Sequence, residues 1–263
     1  MDLQLAKKIA LVSGSTAGIG NAIAAALSRE GATVIVNGRT SAAVEASVTA
    51  MRSATQGHVL GFAGDLSLAP VAEKLVQMHP HVDILVNNLG IFEVRAFEDI
   101  SDADWQHFFN VNVLSGARLS RLYLPSMRQR NWGRIIFISS ESGLQIPAEM
   151  IHYGMTKAAQ IAVARGLAEA TAGTGITVNS VLPGPTRSRG VGDFVADWAA
   201  KSGKSAQTVE DEFFKNARPT SLIKRFATPE EVAAMVAFVA SPLSGATNGA
   251  ALRVDGGVVK SAF

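Results

Sequence analysis

The sequence has no cysteine among its 263 residues. That absence excludes a disulfide scaffold, a thiolate metal site and a cysteine nucleophile, and it suits a reducing compartment, so a cytoplasmic location is expected. A dominant charge is also missing: 24 Lys+Arg stand against 22 Asp+Glu, a formal charge of +2. So even a balance offers no electrostatic footprint for a phosphate backbone, and no nucleic-acid partner is expected. The one small basic cluster, Arg128, Arg130 and Arg134, reads as the solvated end of a helix. No uninterrupted apolar run is long enough to cross a bilayer, and residues 1–8 lack the basic-then-apolar order of a leader; neither a membrane nor secretion is expected. The five histidines share no ligand spacing with acids, so no metal is expected. Only His152, beside Tyr153, bears on a candidate site.

What the chain does contain is a repeated alternation. Short runs, apolar on both faces and rich in β-branched residues, occur at 9–12, 33–36, 58–62, 84–86, 135–138, 176–181 and about 251–254. Segments of helical periodicity lie between them at 19–29, 41–54, 71–78, 105–130 and 153–172. A further helix opens at Thr228-Pro229-Glu230-Glu231, where Thr228 and Glu231 hold capping-box positions and proline takes the first turn. Strand-helix alternation with strands apolar on both sides implies a parallel sheet covered on both faces. The expectation is an α/β fold: a single domain over residues 1–263 with a doubly wound, seven-stranded parallel sheet. Residues 186–225 interrupt the rhythm with small and charged residues interleaved with Phe194, Trp198, Phe213 and Phe214. An insertion of that length reads as a lid over a binding site.

Directly after the first strand comes Ser13-Gly14-Ser15-Thr16-Ala17-Gly18-Ile19-Gly20, followed at once by a helix. Glycines in that place let the chain turn sharply, let backbone approach a pyrophosphate and let the helix pack on the strand, while the helix N-terminus favours the anion.

The Gly-x-x-x-Gly-x-Gly spacing is followed in order by Asp65-Leu66 after the third strand, Asn87-Asn88-Leu89-Gly90 after the fourth and Asn112 in a long helix. Ser140 at the end of the fifth strand, Tyr153-x-x-x-Lys157, and Pro183-Gly184 after the sixth complete the series. Over almost its whole length the chain resembles the short-chain dehydrogenase/reductase family, a Rossmann fold that binds a nicotinamide cofactor. Two departures stand out: Ser13 replaces the usual threonine and keeps the hydroxyl, and Leu89 replaces the customary alanine beside the cofactor.

Tyr153 and Lys157, four apart, fall on one side of a helix. A tyrosine with a pKa near about 10 is a poor base at neutral pH; a nearby lysine cation favours the phenolate, and a hydroxyl such as Ser140 can bond the reacting oxygen. The resemblance implies that Tyr153 gives or takes the proton, Ser140 orients the substrate oxygen, Lys157 holds the nicotinamide ribose and lowers the tyrosine pKa, and Asn112 anchors a water chain. It further implies a cofactor held by Gly14, Ser15, Thr16, Gly18, Ile19, Gly20, Asn37, Arg39, Thr40, Asp65, Leu66, Asn88, Gly90, Tyr153, Lys157, Pro183, Gly184 and Thr186.

The residue ending the second strand faces the adenosine ribose in this fold, and an acid there would repel a 2′-phosphate. Here the strand ends Asn37-Gly38-Arg39-Thr40 with no acid. Gly38 leaves room for a phosphate and Arg39 supplies a guanidinium to grip it, so NADP(H) is expected, with NAD(H) the alternative. Ala17 stands where many NADP-preferring relatives carry a second basic residue. The activity implied is hydride transfer to or from a small-molecule carbonyl or alcohol, in a homotetramer built on the 105–130 and 153–172 helices through residues such as Leu114, Ala117, Leu119, Leu122, Ile161, Ala162 and Ala168. Two alternatives remain. One is reduction of 3-oxoacyl-[acyl-carrier-protein], disfavoured because Asn131 and Thr174 stand where such enzymes carry arginines. The other is a cofactor-binding protein without catalysis, disfavoured because all four catalytic residues are present.

Overall fold

Short runs with no polar face become seven strands: β1 (Ile9–Val12), β2 (Thr33–Gly38), β3 (Val59–Ala63), β4 (Ile84–Asn87), β5 (Gly133–Ile138), β6 (Ile176–Pro183) and β7 (Ala251–Val254). In the computed structural model, which describes residues 1–188, 191–192, 198–199 and 201–262, they form one parallel sheet in the order β3-β2-β1-β4-β5-β6-β7. The crossovers are α1 (Gly18–Arg29), α2 (Ser41–Thr55), α3 (Ala69–Met78), α4 (Asp102–Phe109) continuing into α5 (Ser115–Arg130), and α6 (Ile151–Ala170). α7 (Ala206–Glu212) and α8 (Pro229–Ala240) follow β6.

Both faces of the strands are apolar, so polarity alone cannot fix their register. On β1, β2 and β3 side-chain volume separates the faces instead. The face under α1, α2 and α8 presents Ala10, Val12, Val34, Val36 and Val59 there, and Ile84, Val86, Ile136 and Ile138 on β4 and β5. The opposite face, under α3, α5 and α6, presents Leu11, Ile35, Phe62, Leu85, Ile135 and Phe137. A one-residue slip would exchange these sets and leave one layer overfilled and the other hollow, each fault costing about 1–3 kcal/mol per displaced residue.

The long helix expected at 105–130 is interrupted by a π-helical turn, Asn110–Leu114, between α4 and α5. Such a turn re-aims side chains and often marks a functional position. Here it buries Asn112 completely. Beyond it, a Cβ at Gly116 would lie 2.9 Å from the Phe137 ring and 3.2 Å from Asn87, so glycine lets α5 close onto the ends of β4 and β5. The capping box forms as its residues suggest: Thr228 Oγ1 accepts from the Glu231 N–H at 3.2 Å, and the Glu231 carboxylate accepts from the Thr228 N–H at 2.8 Å.

Several expectations are corrected. Arg134 is not part of a solvated helix end: it lies on β5, is 3% exposed, and donates to the carbonyls of Gly133, Gly175 and Ser241. Leu119 and Ala168 are buried against the sheet, leaving Leu114, Ala117, Ile161 and Ala162 for any partner. The 186–225 segment leaves and returns at one point, because Thr186 and Ala227 form a parallel bridge. Of its aromatic residues, Phe214 is 2% exposed and packs with Phe213, Phe226 and Val209 in a small core of its own rather than facing a ligand; Phe194 lies outside the described residues.

Candidate functional site

The strand order reverses between β1 and β4, the switch point outside whose carboxyl ends open α/β sheets form the crevice that takes a ligand. Gly14 (φ 61°) and Gly18 (φ 57°) turn the loop after β1 through backbone conformations that favour glycine. Gly20 permits a close approach: a Cβ there would lie 2.4 Å from Asn88 Nδ2 and 2.6 Å from the Gly14 carbonyl. Asn88 Nδ2 donates to the Ser13 and Gly14 carbonyls at 2.9 and 3.0 Å, and Ser13 Oγ accepts from the N–H groups of Asn88 and Leu89, each at 3.0 Å. Serine thus does the work of threonine at position 13. α1 begins after Ala17, whose side chain makes no cap, so its first N–H groups face the crevice with no side-chain acceptor. Together with the helix dipole they form a ready anion site.

The residues of the cofactor series divide into two groups. Gly14, Thr16, Gly18, Ile19 and Arg39 surround the mouth of the loop. Arg39 is exposed and, among the described residues, its guanidinium has no hydrogen bond or ion pair. Thr40 is exposed beside it and caps α2 by accepting from the Ala43 N–H at 3.3 Å. Gly38 is needed for packing as well as for room: a Cβ would lie 2.5 Å from Thr16 Cγ2.

The second group supports from beneath. Ser15 is fully buried and bonds the Val12 carbonyl and the Asn37 N–H. Asn37 is 1% exposed; its oxygen accepts from the Gly14 N–H at 3.0 Å and its nitrogen donates to the Phe62 and Gly64 carbonyls. Its amide is therefore committed to clamping the loop to β2 and β3, not free for the cofactor contact that the resemblance implies. Leu66 is 1% exposed in the core and offers a ligand only backbone. Asp65 holds a turn, accepting from the Ser67 N–H and hydroxyl through one oxygen. Leu89 is half-buried, packs on the α3–α5–α6 side, and has Cδ1 3.5 Å from where a Cβ on Gly14 would stand. At the end of β6, Pro183 and Thr186 are buried, and a Cβ at Gly184 would lie 2.5 Å from the Asp255 carbonyl.

On α6, Tyr153 and Lys157 come to the end of β5. Ser139 Oγ donates to the Lys157 carbonyl at 2.7 Å and ties the helix to the strand. Lys157 Nζ is 5.5 Å from the centre of the tyrosine ring, and Ser140 stands at the end of β5. Burial, reinforced by the Glu141 charge, pushes the Tyr153 phenol up; Ser140 and Arg218 pull in the opposite direction. Burial pulls Lys157 down to about 8, against support from Glu141. A close cation and hydroxyl acting on one phenol are the components of an acid–base centre. A side chain at Gly90 would lie 3.5 Å from Lys157 Nζ, so glycine keeps the space beside the ammonium clear.

Asn112 joins this centre, with every group of its amide engaged: it donates to the Ile91 carbonyl and Thr156 Oγ1 and accepts from the Ile91 N–H. Sequence reasoning missed Gln160, which bridges Asn112 to the lysine. Gln160 Nε2 donates to the Asn112 carbonyl at 2.6 Å, and its Oε1 accepts from Lys157 Nζ at 3.1 Å. Its signal was present, since Gln160 is three residues beyond Lys157 on the same helix face. Glu141 and Arg218 were missed as well, the second because nothing local links it to a site 77 residues away. His152 is corrected: it is fully buried, its ring packs on Phe108 at 4.0 Å and near Trp105, and its nitrogens have no hydrogen-bond partner among the described residues, so it lies off the acid–base centre.

Comparison with known proteins agrees with this geometry. A family model described as enoyl-(acyl carrier protein) reductase matches residues 14–259. An uncharacterised oxidoreductase of Bacillus subtilis, YvaG, is 47% identical over 264 aligned positions, covering 100% of both chains. A D-beta-hydroxybutyrate dehydrogenase of Cupriavidus necator is 36% identical, covering 96% of this chain and 98% of its own. The crystal structure of L-sorbose reductase from Gluconobacter frateurii, complexed with NADPH and L-sorbose, superposes with a TM-score of 0.93 at 29% identity, covering 99% of this chain and 100% of that one.

Proposed function

The chain belongs to the short-chain dehydrogenase/reductase family and is an NAD(P)-dependent oxidoreductase; from that premise we propose that it transfers a hydride between NADP(H) and a ketone or secondary alcohol, with Tyr153 supplying or removing the proton. The observation that carries this reading is the convergence of Tyr153, Ser140 and Lys157 beside an uncapped helix N-terminus. The residues present fit a dinucleotide: the first turn of α1 would receive its pyrophosphate, Arg39 its 2′-phosphate, and Lys157 its nicotinamide ribose. When bound, that cofactor supplies the hydride.

The chain's own residues do the rest. Tyr153 donates to the carbonyl oxygen, and Ser140, whose hydroxyl donates to Glu141 Oε2 in this structure, turns that proton to the oxygen when substrate binds, so that negative charge developing there is met from two directions. The proton leaves Tyr153 Oη for that oxygen, and the Lys157 cation stabilises the phenolate left behind. Gln160 and the Ile138 carbonyl, 3.0 Å from Nζ, fix the ammonium in place. Phe92, whose ring centre lies 6.4 Å from that of Tyr153, and Ile146, which packs over Gly154, line the approach with apolar surface. They favour a moderately apolar ketone over a charged one. We read the excursion between Thr186 and Ala227 as a lid of this single domain, and the half-buried Ala117 to Leu124 face of α5 beside Val163 and Leu167 of α6 as the seam of a homotetramer. Light scattering is expected to give four times the 27.6 kDa chain mass at micromolar concentration. A monomer mass would overturn the tetramer.

The test of function is a panel of ketones and secondary alcohols, 3-oxoacyl thioesters included, followed by nicotinamide absorbance with each cofactor. Turnover of simple ketones with NADPH is expected. Cofactor binding without turnover across the panel would favour a non-catalytic role, and activity confined to carrier-linked thioesters would favour the acyl-reductase alternative.

A further inference from the structure

Beside Ser140 lies a charged pair to which hydride transfer assigns no task. Glu141 follows Ser140 directly and is 4% exposed. Its Oε2 accepts from the Ser140 hydroxyl at 2.5 Å, and its Oε1 accepts from Arg218 Nε at 3.3 Å. Arg218 comes from the excursion that leaves the body at Thr186 and rejoins it at Ala227, and it also reaches Glu149 Oε1 at 3.4 Å and the Ala217 carbonyl at 2.8 Å. A carboxylate this buried is costly unless its charge is answered. Here a hydroxyl answers one oxygen and a guanidinium the other, and the Glu141 side chain makes no further hydrogen bond among the described residues.

Carbonyl binding upsets that balance. A serine hydroxyl has one proton to give, and when Ser140 turns it to the substrate oxygen, Glu141 Oε2 loses its donor. The Ser142 N–H does not replace it, because it donates to Ser140 Oγ at 3.1 Å. A buried acceptor without a donor keeps its desolvation cost with nothing to offset it. We propose that Glu141 determines specificity: its Oε2 accepts from the hydroxyl of a substrate that carries one on the carbon next to the carbonyl. The substrate class is then an uncharged 2-hydroxyketone, and the product a vicinal diol. The inference rests on the reading of Ser140 as a donor to the substrate oxygen.

Geometry suits the exchange. Ser140 Oγ and Glu141 Oε2 stand 2.5 Å apart, and oxygens on adjacent carbons can lie about one hydrogen-bond length apart, so one ligand engages the two side by side. The Ser140 hydroxyl turns from the carboxylate to the carbonyl, the substrate hydroxyl donates in its place, and no acceptor is left bare. Reduction itself is unchanged: the carbonyl carbon receives the hydride of the reduced nicotinamide and its oxygen the Tyr153 proton. A simple ketone leaves Oε2 unanswered, and a site built around a substrate hydroxyl discriminates against the analogue that lacks it. A 2-oxo acid is disfavoured by charge, since its carboxylate would face Glu141 while Arg218 is already shared with Glu149. Leu144, at the end of the same turn, is exposed, as are Phe92 and Ile146, so the other substituents of the ketone meet apolar surface.

Three methyl ketones test this: 3-hydroxy-3-methylbutan-2-one, its methyl ether, and 3,3-dimethylbutan-2-one, in which a methyl group replaces the hydroxyl. The ether keeps the oxygen without its proton, and the methyl analogue keeps the volume. Each is titrated calorimetrically into full-length protein saturated with NADP⁺. The hydroxyl sits on a tertiary carbon, so the oxidised cofactor turns over none of them and binding alone is read. The hydroxyketone is expected to bind about 10–100-fold more tightly than either analogue, the range set by a hydrogen bond to a charged group. In Glu141→Gln, Arg218 Nε holds the amide oxygen and leaves the amide nitrogen toward the ligand, so the hydroxyl meets a donor and the preference is expected to vanish. Equal affinities in the unsubstituted protein, or a preference that survives in Glu141→Gln, overturn the proposal. Should Glu141→Gln fail to fold, Glu141→Ala takes its place, and the order of affinities in the unsubstituted protein needs no variant at all. The ketone panel reads turnover and these titrations do not: turnover without the preference overturns this inference alone, and the preference without turnover overturns the catalytic reading alone.

Discussion

Tyr153→Phe is expected to lower the turnover of ketone reduction by about 10²–10⁴-fold, the usual contribution of a positioned general acid, while the affinity for NADP(H) stays nearly unchanged. The substitution removes one oxygen and keeps the ring, so the edge-to-face contact with Phe92 and the packing of α6 on β5 persist. What is lost is the proton at the one place where Ser140, Lys157 and the carbonyl oxygen meet. Lys157 is 5.5 Å from the ring centre and is held by Gln160 and Ile138. Single-turnover kinetics with saturating NADPH, paired with a cofactor titration by fluorescence, separates the two effects. Near wild-type turnover would remove Tyr153 from the mechanism.

Arg39→Ala should reduce kcat/KM for NADPH by roughly 10–100-fold and leave NADH little affected. A charge-assisted hydrogen bond contributes about 1.5–3 kcal/mol, and Arg39 carries this interaction almost alone. Asn37, one of the residues the resemblance places at the cofactor, has its amide committed to the Gly14, Phe62 and Gly64 backbone. Ala17 adds no charge. The guanidinium is exposed and, among the described residues, unpaired, so a phosphate would not have to displace an existing partner. Steady-state kinetics with both cofactors checks this. A wild-type enzyme that prefers NADH, or an Arg39→Ala variant that keeps its preference for NADPH, would show that the phosphate is not read at this position. Replacing Gly38 by aspartate would be a poor converse test, because the new Cβ would lie 2.5 Å from Thr16 Cγ2 and disturb the loop itself.

Local periodicity and spacing alone determined the strand-helix order, the parallel sheet, the glycine loop, the Thr228 capping box and the pairing of Tyr153 with Lys157. Each depends on residues within a few positions of one another, where backbone geometry fixes which side chains share a face. Tertiary structure decided which polar residues face a ligand and which hold the frame. Asn37, Ser15 and Leu66 sit in motif positions, yet their side chains turn inward, because a buried loop must satisfy its own donors and acceptors from whatever lies beneath it. Arg134 reads as a surface cation and is buried instead, because β5 is central and three carbonyls converge on its guanidinium. Gln160 lay on a face that periodicity identifies, but its link to Asn112 spans 48 residues and forms only once the π turn has brought that carbonyl to α6. The Glu141–Arg218 pair spans 77 residues and exists only because the chain that departs at Thr186 comes back over the catalytic turn. Contacts within a turn or two of chain follow from covalent geometry, whereas contacts between distant segments follow from which surfaces the packed sheet leaves open to be covered.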